Sequence, residues 1–283
     1  MKITNHKNLP SAFVNIAEDE HERKDKHYSV TEILNGTREI LLKRRHWDDL
    51  TTDVSDMIWA VWGSAVHELL EKHDTTNITE LSLKTEIKDG YYLTGRCDLF
   101  NEDKHTIEDY KTASVWKVVN EDYEDWHKQG MMYAWLALKN GLIVNEVKFY
   151  ALLKDWSVSK ARYDKNYPQH PIYTYKFDVD SSALREIESF VRTKFDDLII
   201  NEDTLDNELP VCSEKERWAT ATKWAVMKKG RKSAVKLYEN KEDLPDVLHP
   251  YYIEERKGQD KKCENYCLVN GKCSYWKGKG ENE

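Results

Sequence analysis

TGRCDLFNEDKHTIEDYKTAS (residues 94–114) holds two runs of strand-like alternation around a short polar turn. In a strand, residues two apart share a face, so Ile107, Asp109 and Lys111 point one way and Glu108, Tyr110 and Thr112 the other. Asp98 alternates with Cys97 and Leu99, and a hairpin with a four- or five-residue loop would set Asp98 beside Asp109, in a register that the sequence leaves open. Two carboxylates and a lysine then meet on a sheet surface beside a core. That set suits metal-assisted cleavage of a phosphodiester. Hard oxygen ligands hold Mg²⁺ while leaving it most of its waters, and an ammonium orients the attacking water and offsets charge on the phosphate. A weak surface ion pair accounts for the same three residues equally well.

Residues 81–88 supply a strand ahead of this hairpin, joined to it through Asp89-Gly90. Before that strand lie two helices, 29–46 and 53–73, the first interrupted near Asn35 and Gly36. In the second, Ile58, Val61, Trp62, Ala65, Val66, Leu69 and Leu70 recur at helical spacing, and this stripe is expected to be core backing the sheet. After the hairpin the pattern gives a helix at 121–140 stopped by Asn140-Gly141, a strand at 146–153, a strand near 173–179 and a helix at 182–199. The order predicts an α/β fold with a mixed central sheet flanked by helices. Residues 1–204 form that core with its N-terminal helices. Residues 205–283, where three of the five cysteines crowd between 263 and 273, form a C-terminal cysteine-clamped extension.

A chain of 283 residues that is 40% hydrophobic and 11% aromatic can bury a sizeable core and should fold. It has no signal-like N-terminus and no apolar run of membrane-spanning length, so the cytoplasm is the expected compartment, with no membrane partner. A formal charge of -8 argues against a general polyanion binder but leaves room for local basic patches. Lys43, Arg44 and Arg45 form one such patch; Lys228, Lys229, Arg231 and Lys232 form another. The second lies in TKWAVMKKGRKSAVKLY (222–238) beside Trp224, where charge and stacking suit a DNA channel. An exposed hairpin with a lysine-guarded edge fits the same run as well.

Cys263, Cys267 and Cys273 in KKCENYCLVNGKCSYW (261–276) need one more thiolate for a four-ligand site. Three cysteines this close in a cytoplasmic protein suggest metal rather than disulfides. Cys212 is the natural fourth, because Cys97 sits on a strand beside Asp98 and should face away from the cluster.

His67 follows Gly63 by one helical turn, a spacing that fits a border histidine on a helix able to approach a neighbour closely. Gln129 and Tyr133, in HKQGMMYAWL (127–136), lie one turn apart, as a polar helix flank also would. Together, Gly63 to His67, Gly95 to Asp98, Asp109 to Lys111 and Gln129 to Tyr133 follow the order G-x-x-x-H, G-x-x-D, D-x-K, Q-x-x-x-Y. That order resembles the PD-(D/E)xK nucleases, specifically their RecB-like and CRISPR-adaptation exonuclease branch, over roughly residues 55–155. The resemblance implies a restriction-endonuclease-like core. It implies Asp98 and Asp109 as carboxylate ligands of a catalytic Mg²⁺ or Mn²⁺, His67 as a further ligand and the Tyr110 carbonyl beside them. Lys111 would position the water, and Gln129 and Tyr133 would brace the site and the scissile strand. Glu86 is a weaker supporting candidate, and Glu108 faces away. Several relatives of this kind close their C-terminus with a 4Fe-4S cluster on one distant and three clustered cysteines, which implies that cluster here; a structural Zn²⁺ site is the alternative.

The expected function is a metal-dependent DNA exonuclease acting on linear duplex or single-stranded DNA in recombination or DNA processing, with a recombination or helicase protein as partner. An endonuclease of the same fold and a non-catalytic nucleic-acid-binding protein are the alternatives.

Overall fold

Asp89 and Gly90 both take positive φ, 48° and 80°, as the tight turn between two twisted antiparallel strands requires. The computed structural model describes residues 1–18 and 24–280. In chain order it runs β1 (Lys2–Thr4), α1 (Ser11–Glu18), β2 (His27–Ser29), α2 (Val30–Ile33), α3 (Thr37–Arg45), β3 (Thr51–Asp53) and α4 (Ile58–His73). There follow β4 (Ile78–Lys88), β5 (Tyr91–Asn101), β6 (Thr106–Ala113), α5 (Val115–Val119), α6 (Glu124–Lys139), β7 (Glu146–Leu153), α7 (Val158–Tyr163), β8 (Ile172–Asp178) and α8 (Ser181–Ile200). Last come β9 (Lys223–Lys228), β10 (Lys236–Tyr238), β11 (Tyr251–Arg256), α9 (Lys261–Asn265) and α10 (Ser274–Gly280).

Two compact units result. Residues 1–35 with 47–203 make the first, and residues 36–46 with 204–283 the second. Helix α3, which the sequence pattern puts with the N-terminal helices of the core, therefore belongs to the second unit.

The first unit is built on a mixed sheet in the order β2-β5-β6-β7-β8, with β4 on the other edge of β5. β4 and β6 run antiparallel to β5, β7 runs parallel to β6, and β8 antiparallel to β7. β2 pairs in parallel with residues 92–94 of β5 and β6 pairs with residues 99–101, so the two strands share one edge of β5 with a gap between them. Helix α6 supplies the core against this sheet: from Trp126 to Ala137 it buries ten residues. Met132 and Leu136 are fully buried, each contributing roughly 1.5–3 kcal/mol. α8 adds Ile187, Val191, Phe195 and Leu198. Its start is capped by the Asp180 carboxylate, which accepts from the Ser182 and Ala183 N–H groups at 2.7 and 2.9 Å.

The apolar stripe of α4 does not back the sheet as expected. None of that helix's sixteen residues is buried. Val61 and Ala65 line an open cleft of about 820 Å³ instead, and Trp59 and Leu69 face solvent. The stripe is real, but it is split between the groove, solvent and half-buried positions such as Val66 and Leu70.

In the second unit β9 is the centre of the sheet β10-β9-β11. Residues 36–46 join it through Arg38, a buried side chain whose Nη1 donates to the Leu209 carbonyl at 2.6 Å and whose Nη2 donates to Ser274 Oγ at 2.7 Å. Asp260, also buried, is paired with Arg217 at 3.2 Å and Lys279 at 2.6 Å and accepts from Tyr275 Oη at 2.8 Å. Burying a carboxylate is tolerable only with such partners.

Candidate metal centre and its cleft

Backbone pairing between β5 and β6 runs through Asn101↔Thr106, Phe100↔Ile107 and Leu99↔Glu108 and stops there. One position further stand Asp98 and Asp109. In place of a backbone carbonyl, Asp98 Oδ2 accepts the Tyr110 N–H at 2.7 Å. The strands therefore part where the acids begin, and the side chain satisfies the amide that the parting exposes.

His67 approaches from α4, its Nδ1 3.3 Å from the same Oδ2 and its ring edge-on to Tyr110 with centroids 6.0 Å apart. Its hydrogen bond to Asp98 raises the imidazole pKa against the opposing effect of burial. Glu71 lies one turn further along α4, where burial and the neighbouring Glu80 carboxylate push it up to about 7. Donor atoms of His67, Glu71 and Asp98 all lie within 4.8 Å of one another. The sequence signal for Glu71 is its i+4 spacing from His67, which puts both side chains on one helix face.

Asp109 stands outside that group of three. It is 2% exposed and holds Lys111, with Oδ2 and Nζ 2.5 Å apart. That oxygen makes no hydrogen bond of acceptable angle, so the contact is an ion pair. Burial pushes the Asp109 carboxyl up to about 6, with the lysine opposing and Asp98 reinforcing the rise. Lys111 Nζ also sits 5.5 Å from the Phe149 ring centroid.

Gln129 and Tyr133 are both buried, and Gln129 Nε2 donates to Tyr133 Oη at 3.1 Å. Tyr133 forms part of the cleft lining with Asp98, His67 and Glu71. A Cβ at Gly95 would come within 2.9 Å of both Tyr133 Cε1 and Leu136 Cδ1, so the glycine admits α6 to the sheet at this point. Glu86 lies away from the centre: its carboxylate accepts the Gly90 N–H at 2.9 Å and closes the β4–β5 turn. Glu108 faces Lys148 at 3.9 Å.

Cys212, Cys263, Cys267 and Cys273 line one cavity within the second unit, with Arg38 and Arg217. Burial pushes the Cys212 thiol up to about 11 and the Cys267 thiol up to about 12. A Cβ at Gly36 would sit 2.6 Å from Cys212 Sγ, so the break between α2 and α3 makes room for this sulfur. The buried Nε of Arg38 makes no hydrogen bond. Lys228, Lys229, Arg231 and Lys232 are exposed at the end of β9 and in the turn beyond it, with Lys228 Nζ 5.6 Å from the Tyr251 ring centroid. In α3, Arg45 pairs with Asp206 at 2.7 Å.

No family model matches the chain, and none of the curated proteins does. Among solved structures it is similar to SSO0001, at 17% identity and a TM-score of 0.48 over 68% of this chain and 85% of that one. It is also similar to the alkaline exonuclease LHK-Exo from Laribacter hongkongensis, at 11% identity and a TM-score of 0.38 over 63% and 90% of the two chains. A phage related exonuclease from Haemophilus somnus 129PT gives 16% identity and a TM-score of 0.32 over 49% and 71%.

Proposed function

We propose that this chain is a metal-dependent DNA nuclease of the PD-(D/E)xK kind, an exonuclease of DNA recombination or processing. The observation that carries the reading is the meeting of His67, Glu71 and Asp98 donor atoms within 4.8 Å at the point where β5 and β6 part, with the Asp109–Lys111 pair next along β6. The donor set fits a small divalent cation. Two carboxylates and an imidazole converge, and burial first, then the neighbouring Glu80 carboxylate, disfavour the charged form of Glu71 that a cation would favour. Asp98, Glu71 and His67 would hold Mg²⁺ or Mn²⁺, with the Asp109 carboxylate, paired to Lys111, behind them. When bound, such an ion supplies Lewis acidity toward the phosphate and a more acidic water.

The chain's own groups do the rest. Lys111 places a positive charge at the attacked phosphate and orients the water, and Asp109 fixes the ammonium in place. Tyr133, tied to Gln129, closes the cleft wall against the strand being cut. Lining of the cleft by both α4 and β5 keeps the scissile group between the two halves of the site.

The four-cysteine cavity suits an anionic thiolate-bound group, because the unpaired Arg38 Nε and the Arg217 guanidinium line it beside the sulfurs. We assign it to a 4Fe-4S cluster, with structural Zn²⁺ as the alternative; visible absorption and metal analysis of the isolated protein separate the two.

End-labelled linear duplex and single-stranded DNA tests the nuclease reading, with Mg²⁺, with EDTA and with Lys111→Ala in parallel. Label should be lost only with Mg²⁺ and only from wild type, while Lys111→Ala stays folded. Closed circular DNA should survive; if it is nicked, the enzyme is an endonuclease. No cleavage by folded wild type on any substrate would leave a nucleic-acid-binding protein.

A further inference from the structure

Helix α4 carries two exposed aromatic rings that the catalytic reading leaves unused. On α4, Trp59 is 57% exposed and Trp62 39%, and the two rings meet edge to face with centroids 5.9 Å apart. Two exposed tryptophans in contact are a contact surface, not a core. The helix that bears them also bears His67, and its Gly63 faces Thr112 of β6 so closely that a Cβ would come within 3.3 Å of its Oγ1. Lys154, just past β7, donates its N–H to the Ala113 carbonyl and carries its Nζ to 4.5 Å from the Trp59 ring centroid.

The next residue ties in a third ring. Asp155 accepts from Ser114 Oγ at 2.7 Å and from the Val115 N–H at 2.6 Å, fixing the start of α5. There Trp116 is 51% exposed, with Lys160 Nζ 5.2 Å from its centroid. Exposed rings at this end of the sheet thus come with ammonium groups beside them.

We infer that Trp59, Trp62 and Trp116, with Lys154 and Lys160, form a stacking platform that holds unpaired nucleotides of a single-stranded nucleic acid as its strand reaches Lys111. Bases present a free face for stacking only when unpaired, and the lysines beside Trp59 and Trp116 meet the phosphates that accompany stacked bases. A protein partner is disfavoured by the same lysines, which protein interfaces tend to exclude. The inference rests on the nuclease reading for the direction of the strand toward Lys111, but its test does not need cleavage.

Affinity for a short labelled oligothymidylate and for a blunt duplex is measured in EDTA, for wild type and for the Trp59→Ala/Trp62→Ala double variant. Wild type should prefer the single strand. The double variant should lose about tenfold or more on the single strand and little on the duplex, and Trp59→Phe/Trp62→Phe should restore most of the loss. Unchanged single-strand affinity in a folded double variant overturns the platform, as does an equal loss on both substrates. If the double variant does not fold, Lys154→Glu, which keeps both rings, takes its place with the same two outcomes. Since binding is read without metal, a wild type that binds as described yet never cleaves counts against the nuclease reading alone.

Discussion

Asp98 uses a single oxygen, Oδ2, both to accept the Tyr110 amide and to face His67, which leaves Oδ1 outside both contacts. An asparagine keeps an acceptor for the amide but loses the charge. Asp98→Asn should therefore melt close to wild type while losing Mg²⁺-dependent cleavage; a variant cutting at the wild-type rate would take Asp98 out of the site. Glu71→Gln should raise the Mg²⁺ needed for half-maximal cleavage by roughly 10–100-fold, read by titrating the metal. An unchanged titration would remove Glu71 as a ligand. Gly95→Ala must displace Tyr133 or Leu136, and overpacking of this kind costs about 1–3 kcal/mol, seen as a lower urea midpoint at unchanged slope. At this scale the sequence was informative for Asp109 and Lys111, because strand alternation puts them on one face of a strand, whereas the neighbours of Asp98 depend on a hairpin register that the sequence leaves open. Glu71 escaped it: an acid on a polar helix flank looks like solvated surface until Glu80 from another strand is seen beside it.

Among the elements, the long strands and α6 were legible because their periodicity runs over many residues. β1, β2 and β3 have three residues each, too few for an alternation to register, and are held by pairing with distant segments. The stripe of α4 was legible in a different sense: period 3.6 says that one face is apolar, not what lies opposite it. Between α6 and α8, the Glu188 carboxylate accepts from Arg192 at 2.7 and 3.0 Å and from the Trp135 indole N–H at 3.2 Å. These bonds, the arginine's first, hold its pKa down to about 2 from an ordinary 4.5. A pKa lower in the folded state stabilises above pH 4.5 and loses that contribution as pH falls toward 2. The melting-temperature gap between wild type and Glu188→Gln should accordingly shrink over that window; a constant gap would mean that the carboxylate charge contributes nothing.

For the molecule as a whole, a change in character near residue 205 was visible in the cysteine spacing, but the membership of α3 was not. Nothing in the local pattern of residues 37–45 says that the chain leaves one unit for eleven residues and then returns. Ile40, Leu41 and Leu42 are buried in the complete protein, so a chain ending at residue 203 should bind a hydrophobic dye and be cut by protease within 36–46. Resistance of that segment would show that α3 needs no partner from the C-terminal part. Arg38 is made 171 residues before Leu209 and 236 before Ser274, the groups that it bonds. At a synthesis rate of roughly 5–20 residues per second, a helix near the beginning of the chain waits on the order of ten seconds or longer for its partners. Its greasy side is open to chaperones throughout that interval, and the cysteine-bearing unit closes only after residues far downstream of α3 have been made.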